Sequence, residues 1–212
     1  MSGRWIGRAN VRKRLEPREG APGRTTYADG AVRIELDDGE SVLVRPPFGL
    51  GHTGEYDRVR AAPLLEELER DHVVAALLVR LGGYAVGVFE GERLVASKVG
   101  SRFVKGRHKK GGSSANRFRR RREEQARTLV EEAAAVAVRI LEPQRDRVEF
   151  VALGGDRAAV DAVLAARQEL GWLRERALER FFTVPEPRQR VLEAFPYDLY
   201  AAEVVTLSPD EP

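Results

Sequence analysis

The stretch Val73-Val74-Ala75-Ala76-Leu77-Leu78-Val79-Arg80-Leu81, closed by Gly82-Gly83 and followed by the alternating Tyr84-Ala85-Val86-Gly87-Val88-Phe89, decides the fold. A run that is almost all apolar over this length reads as a central, buried strand. The alternating run after the glycines and Leu94–Val99 beyond Glu90-Gly91-Glu92 are its hairpin partners, so three strands form a meander.

Downstream of the meander the period changes. From about Ala126 the apolar positions Leu129, Ala133, Val136 and Ile140 step by three and four, which predicts a helix lying on the sheet, and Pro143 stops it. Val148–Leu153 is a short strand of buried type, Gly154-Gly155-Asp156 a turn with an N-cap, and Val160, Val163 and Leu164 the face of a second helix. Leu170–Phe182 reads as a third helix whose Trp172, Phe181 and Phe182 enter the core. A Val184-Pro185-Glu186-Pro187 break, a short helix over Arg188–Ala194 and a last strand Ala201–Leu207 complete the chain.

Upstream, Val32, Ile34 and Leu36 alternate with polar residues, Asp38-Gly39 supplies a turn, and Val42-Leu43-Val44 returns before Pro46-Pro47: one β-hairpin. Gly49–Gly54 is a glycine-rich connection to a helix opened by Pro63 and carrying Leu64, Leu65 and Leu68. Residues 1–30 have no sustained periodicity and are expected to be irregular, with one short strand at Trp5-Ile6. The expected organisation is an N-terminal extension with a hairpin over residues 1–62 and a main domain over 63–212. The expected fold class is α/β, a mixed sheet with helices packed on it that resembles the ribonuclease-H-like class.

With 212 residues and 42% hydrophobic content, the chain has enough apolar surface for one packed domain or a domain with a small appendage. No run approaches the roughly 20 apolar residues of a membrane span, and no apolar stretch follows Met1-Ser2-Gly3-Arg4-Trp5, so a cytoplasmic monomer without a membrane partner is expected. The absence of cysteine excludes disulfides, thiolate metal sites and a cysteine nucleophile. His52, His72 and His108 are too far apart in sequence for a histidine zinc pair, and neither metal nor cofactor is expected.

Charge is concentrated. Residues 102–127 hold eleven Lys/Arg against Glu123 and Glu124, a local balance of +9, which leaves −6 on the rest of a chain whose net charge is +3. One cationic element on a mildly acidic body is what a localised polyanion contact requires, because counterion release scales with the cations gathered in one place. Within it, Lys105, Arg107, His108, Lys109 and Lys110 lead into Gly111-Gly112-Ser113-Ser114, and Arg117, Arg119, Arg120, Arg121 and Arg122 follow. Adjacent glycines among cations bury nothing and cost backbone entropy to order; their use is close approach of the backbone to a ligand. The plainer alternative is a solvated basic loop. His108 has two readings, a further RNA-contacting ring or a proton shuttle.

Other residues read as structural. His72 begins a strand; His52 lies in a glycine-rich connection lacking the Lys-Ser/Thr of a phosphate loop. Asp37-Asp38 and Glu66-Glu67 raise the question of a two-metal nuclease, but Val73–Leu81, Tyr84–Phe89 and Val148–Leu153 carry only Glu149.

The run Arg107-His108-Lys109-Lys110-Gly111-Gly112-Ser113-Ser114, the Arg-rich helix start and the acidic-alanine helix Glu123-Glu124…Glu131-Glu132-Ala133-Ala134-Ala135 resemble the actinobacterial branch of the Vms-like release factors. These are related to the catalytic middle domain of eukaryotic peptide-chain release factors. The resemblance spans about residues 70–207 and is most specific over 105–125. It implies hydrolysis of the ester joining a nascent peptide to tRNA, with the glycine loop inserted into a large ribosomal subunit and peptidyl-tRNA and rRNA as partners. It makes 63–212 the catalytic domain, Gly111, Gly112, Ser113 and Ser114 the catalytic loop, and the surrounding cations the RNA contacts. Such an ester needs no metal if its 3′ end is held and a water is set against the carbonyl. Relatives carry a glutamine in this loop, after the glycine pair. Read straight through, Ser114 stands in its place; with a shortened loop, Gln125 in the helix is the candidate. A non-catalytic ribosome- or tRNA-binding factor and a tRNA nuclease are the alternative functions.

Overall fold

The computed structural model describes residues 3–80, 82–101 and 114–207. In chain order its elements are β1 Arg4–Gly7, α1 Arg8–Leu15, β2 Gly23–Ala28, β3 Ala31–Leu36, β4 Ser41–Arg45, β5 Gly54–Tyr56, α2 Ala62–Glu69, β6 Val73–Arg80, β7 Gly83–Glu90 and β8 Arg93–Ser101. They continue with α3 Ser114–Leu141, β9 Phe150–Gly155, α4 Arg157–Ala166, α5 Trp172–Glu175, β10 Ala177–Phe182, α6 Gln189–Leu199 and β11 Ala201–Leu207. Two compact units result, Met1–Asp71 with Pro196–Pro212, and His72–Phe195.

The second unit is a mixed sheet in the order β10-β9-β6-β7-β8. β6 pairs antiparallel with β7 and parallel with β9, β9 runs parallel to β10, and β7 is antiparallel to β8. Four strands therefore share one direction and β7 alone opposes them. The expected α/β class holds, and its reason is visible strand by strand. Ala75, Leu77, Val79, Val86, Val88 and Val151 pack under Leu129, Ala133, Ala137 and Leu141 of α3 and Val160, Val163 and Leu164 of α4. On the other face α6 covers the sheet: Phe195 lies 6.2 Å from Phe89 and 5.0 Å from Phe182, and Leu192 fills the space where Gly87 has no side chain. A strand covered on both faces must be apolar at every covered position, as β6 is from Val73 to Val79. Asp156 caps α4 as expected, its Oδ1 accepting from the amides of Ala158 and Ala159 at 3.0 and 3.4 Å.

The expected third helix over Leu170–Phe182 is corrected. A 3-10 turn at Gln168–Leu170 and the four residues of α5 are helical, then the chain extends into β10. Leu170, Trp172 and Leu173 do mark a buried helical face. Phe181 and Phe182, adjacent in sequence, point to opposite faces of the sheet, and pairing with β9 outweighs the helical spacing. The short helix over Arg188–Ala194 is also longer than expected, running through Pro196 to Leu199.

The first unit holds the sheet β1-β11-β4-β3-β2-β5, antiparallel throughout. Residues 1–30 are therefore more ordered than the sequence suggested: β1, α1 and β2 lie there. α1 was hidden because only Val11 and Leu15 of its eight residues are buried, and β2 because its buried positions are Thr25 and Tyr27, which are not aliphatic. Thr25 is satisfied inside: its Oγ1 donates to Arg58 O and accepts from Arg60 N, both at 3.0 Å. The expected β3–β4 hairpin forms the middle of this sheet, and the helix opened by Pro63, α2, packs Leu64, Leu65 and Leu68 in the same core.

Candidate functional site

Strand register places four chain connections along one rim of the second sheet. Ser101, the last residue of β8, is opposite Gly83; Gly83 is opposite Arg80; Val79 is opposite Gly155; and Gly154 is opposite Phe182. The C-terminal ends of β8, β6, β9 and β10 thus line up, the edge at which open α/β sheets bind ligands. Glycine makes the crowding possible. Gly155 has φ +104, and any Cβ there would collide with the carbonyl of Val79. A Cβ on Gly100, next to the end of β8, would likewise run into the Tyr84 ring, which is buried.

The chain leaves this rim after Ser101 and re-enters described structure at Ser114, the start of α3. The expected catalytic and RNA-contacting residues Lys105, Arg107, His108, Lys109, Lys110, Gly111, Gly112 and Ser113 lie outside the described residues. Ser114, Arg117, Arg119 and Arg122 are described only as helix backbone, while Arg120, Arg121 and Arg127 are exposed. Among residues of α3 with described side chains, Leu129 is the first that is buried. From Ser114 to Thr128 the helix extends about 22 Å before that point, at 1.5 Å per residue. Gln125 is half-buried and stands eleven residues after Ser114 on one continuous helix, about 16 Å along its axis. The two residues considered for the glutamine role therefore occupy well-separated levels of the same helix.

The other sequence candidates are built into the fold. His72 is buried at the start of β6, its Nδ1 2.9 Å from Glu149 Oε2, and Glu149 Oε1 accepts from the Val73 amide at 2.9 Å. That carboxylate fastens the beginnings of the parallel pair β6 and β9. His52 Nε2 is 2.9 Å from the Tyr56 hydroxyl, with its ring edge-on to Tyr27 at 4.7 Å in the first unit. Asp38 accepts from the Glu40 amide within the β3–β4 turn. Among the described residues no cluster of three or more His, Cys, Asp or Glu is arranged to hold a metal, and no helix is long and apolar enough to cross a membrane.

Reading the sequence alone missed a set of arginines on the rim. Arg80 ends β6, Arg157 begins α4 directly after β9, and Arg188 and Arg190 follow β10. All four are exposed. Pro187 O lies 3.5 Å from where a Gly83 Cβ would be, which brings the β10–α6 connection to the same edge. The signal available in the sequence was positional, a cation just beyond a predicted strand end; none of the four belongs to a charge run.

Three solved structures show weak likeness to the chain. An archaeal translation termination factor, aRF1, matches at 16% identity and TM-score 0.45, over 82% of this chain and 51% of that one. A structure titled Vms1 mitochondrial localization core matches at 11% identity and TM-score 0.47, over 94% of this chain and 82% of that one. One described only as an archaeal protein matches at 13% identity and TM-score 0.38, over 89% and 69%. The chain spans about half the length of the archaeal termination factor. No curated protein matches it. Residues 72–205, well over half of the sequence, match the family described as Actinobacteria/chloroflexi VLRF1 release factor, acVLRF1. The match begins at His72, where the second unit begins, and takes in β8, α3 and the residues between them. The chain belongs to the Actinobacteria/chloroflexi VLRF1 release factor family.

Proposed function

We propose that the protein is a release-factor-type peptidyl-tRNA hydrolase that frees nascent peptide from stalled large ribosomal subunits, working in the cytoplasm as a monomer without metal or cofactor. Its working part is the segment Lys105–Ser114. The observation that carries this reading is the placement of the described residues on either side of it: Ser101 at the rim where the strands of the second sheet end, and Ser114 at the start of a helix whose first half buries none of its described side chains. A helix start that carries arginines, and whose described side chains before Leu129 are not buried, is suited to entering a polyanionic cavity.

In this reading Arg117, Arg119, Arg120, Arg121 and Arg122, with Lys105, Arg107, His108, Lys109 and Lys110, neutralise rRNA and tRNA phosphates and set the ester against Gly111-Gly112. Water attacks the ester carbonyl, the carbonyl oxygen gains charge opposite backbone amides, and the 3′ oxygen of the tRNA leaves with a proton. The separation of Gln125 from Ser114 along α3 favours Ser114, with the backbone amides, as the group that orients the water. Gln125 is then a residue of the helix shaft.

The test is release of labelled peptide from peptidyl-tRNA on purified large subunits, resolved on a gel that also reports tRNA length. Release with intact tRNA, abolished by deleting residues 111–114, is expected. Silence of the wild-type protein, or undiminished release by the deletion, refutes the proposal; shortened tRNA identifies a nuclease instead. A second reading, a ribosome- or tRNA-binding factor that no longer hydrolyses, is favoured by the serines standing where relatives carry glutamine. Salt-sensitive subunit binding without ester cleavage is its signature.

A further inference from the structure

The two rims of the second sheet differ in charge balance. At the rim where β6 and β9 begin, Glu90 pairs with Arg93 and Arg147, while Arg176 donates to the carbonyls of Arg145 and Val148. Arg145, Arg167 and Arg174 in the same unit also sit against carboxylates, at 3.5, 2.8 and 3.4 Å. At the opposite rim, where the loop emerges, Arg80, Arg157 and Arg190 have no ion-pair partner among the described residues, and Arg188 is paired with Glu186 at 2.6 Å. Asp156, beside Arg157, caps α4, and Glu193, on α6 with Arg190, accepts from Gln189.

Two of these arginines are held in place by neutral groups that leave their charge uncompensated. Arg80 Nη1 donates to Val184 O at 2.8 Å, and the Arg157 guanidinium stacks over the Phe181 ring at 4.3 Å. A guanidinium fixed by a carbonyl or an aromatic face keeps further N–H donors for a phosphate, at a reduced entropy cost of ordering. Exposed arginines gathered on one rim with no ion-pair partner among the described residues make a surface suited to an anion.

We infer that Arg80, Arg157 and Arg190 form a phosphodiester-binding rim for the RNA whose 3′ end the loop receives, a second contact independent of the basic segment 102–127. The inference rests on the proposed function for the identity of that RNA, and on the charge pattern alone for the binding of its backbone. The cations come from three connections far apart in sequence, so the rim can follow a curved RNA backbone.

The experiment compares wild type with R80Q/R157Q/R190Q and with R157Q/R190Q, which preserves the Arg80–Val184 hydrogen bond. Two probes are used: a short RNA duplex with a single-stranded 3′ end, mimicking a tRNA acceptor arm, and purified large subunits, each titrated at several salt concentrations. The triple variant is expected to bind roughly tenfold or more weakly at about 0.1 M salt, with the log–log salt slope shallower by about 2–3, as loss of three phosphate contacts requires. The double variant falls between. A loss seen with the duplex supports the rim as a tRNA contact; a loss confined to the subunit places it on rRNA and overturns that assignment. Equal affinity and slope of variant and wild type for both probes, or no binding by the wild type to either, overturns the inference. Failure of peptide release by a wild-type protein that shows the expected slope difference would count against the hydrolase reading alone.

Discussion

Replacing Ala126 by proline separates the part of α3 that holds the second unit together from the part that presents the loop. Proline at 126 removes the amide that bonds back to Arg122 and clashes with that residue's carbonyl, a local cost of about 3 kcal/mol in a helix interior. The chain escapes this cost by unwinding the dozen or so residues from Ser114 to Gln125. Helix propagation in exposed segments contributes only about 0–0.3 kcal/mol per residue, and a piece of this length is marginal by itself. None of its described side chains is buried. The stability lost is therefore on the order of 1 kcal/mol, a fall in Tm of at most about 4 °C for a unit of this size. Ala137→Pro is the contrast. Ala137 is fully buried under α4 and the sheet, so the same substitution there also destroys packing and should lower Tm by more than about 10 °C. In the peptide-release assay Ala126→Pro should cost about 10²-fold, since the loop loses its rigid base and small misplacements of reacting groups cost that much. Far-UV circular dichroism should show the loss of the dozen or so helical residues. A Tm drop equal to that of Ala137→Pro would refute the view of an unpacked arm; unchanged release would refute its role in presenting the loop.

Three further outcomes follow from the geometry. Glu149→Ala should destabilise the second unit by about 1–2 kcal/mol in urea unfolding, because one half-exposed carboxylate joins His72 and the Val73 amide, and a change below about 0.5 kcal/mol would show that this clasp contributes little. Gly155→Ala combines a strained φ with collision against Val79 O and should cost about 3 kcal/mol or more, read as aggregation or a much lower urea midpoint; near-wild-type unfolding would contradict the packed rim. The two units should show opposite pH sensitivities. The Arg147 hydrogen bond, then the charge of Arg93, holds Glu90 below its ordinary 4.5, so this contribution is present above about pH 4.5 and lost as pH falls through the depressed value, and Glu90→Gln should flatten that acid limb. Burial pushes the Tyr27 phenol above its ordinary 10, so its neutral form stabilises the first unit below that pH and the benefit is lost as pH rises beyond it; Tyr27→Phe should remove the alkaline decline in Tm.

Much of the second unit is legible in the sequence because its strands are covered on both faces and its helices on one. β6 is apolar from Val73 to Val79, α3 repeats by three and four from Leu129, and Asp156 follows two glycines, so each local pattern agrees with the element formed. β10 was obscured because Trp172 and the two phenylalanines share a spacing that a helix also satisfies. The first unit was legible only at β3, β4 and α2. β1 is four residues long, and it is completed by β11, where Arg4 lies opposite Val204. Strand pairing uses backbone groups common to every residue, so nothing in Arg4–Gly7 names its distant partner.

By itself, the sequence determined the location of the loop between a strand and a long helix, the concentration of +9 within residues 102–127, the exclusion of cysteine chemistry, and the mixed α/β class. These are local properties, set by composition and by the period at which apolar residues recur. Only the tertiary structure decided that Ser101, Arg80, Gly155 and Phe182 share one rim, that Arg157 and Arg190 join Arg80 there without carboxylate partners among the described residues, and that Gln125 stands about 16 Å along α3 from Ser114. Periodicity records which side of a segment is buried; which other segment buries it, and which charges are thereby gathered, is settled when the strands pair.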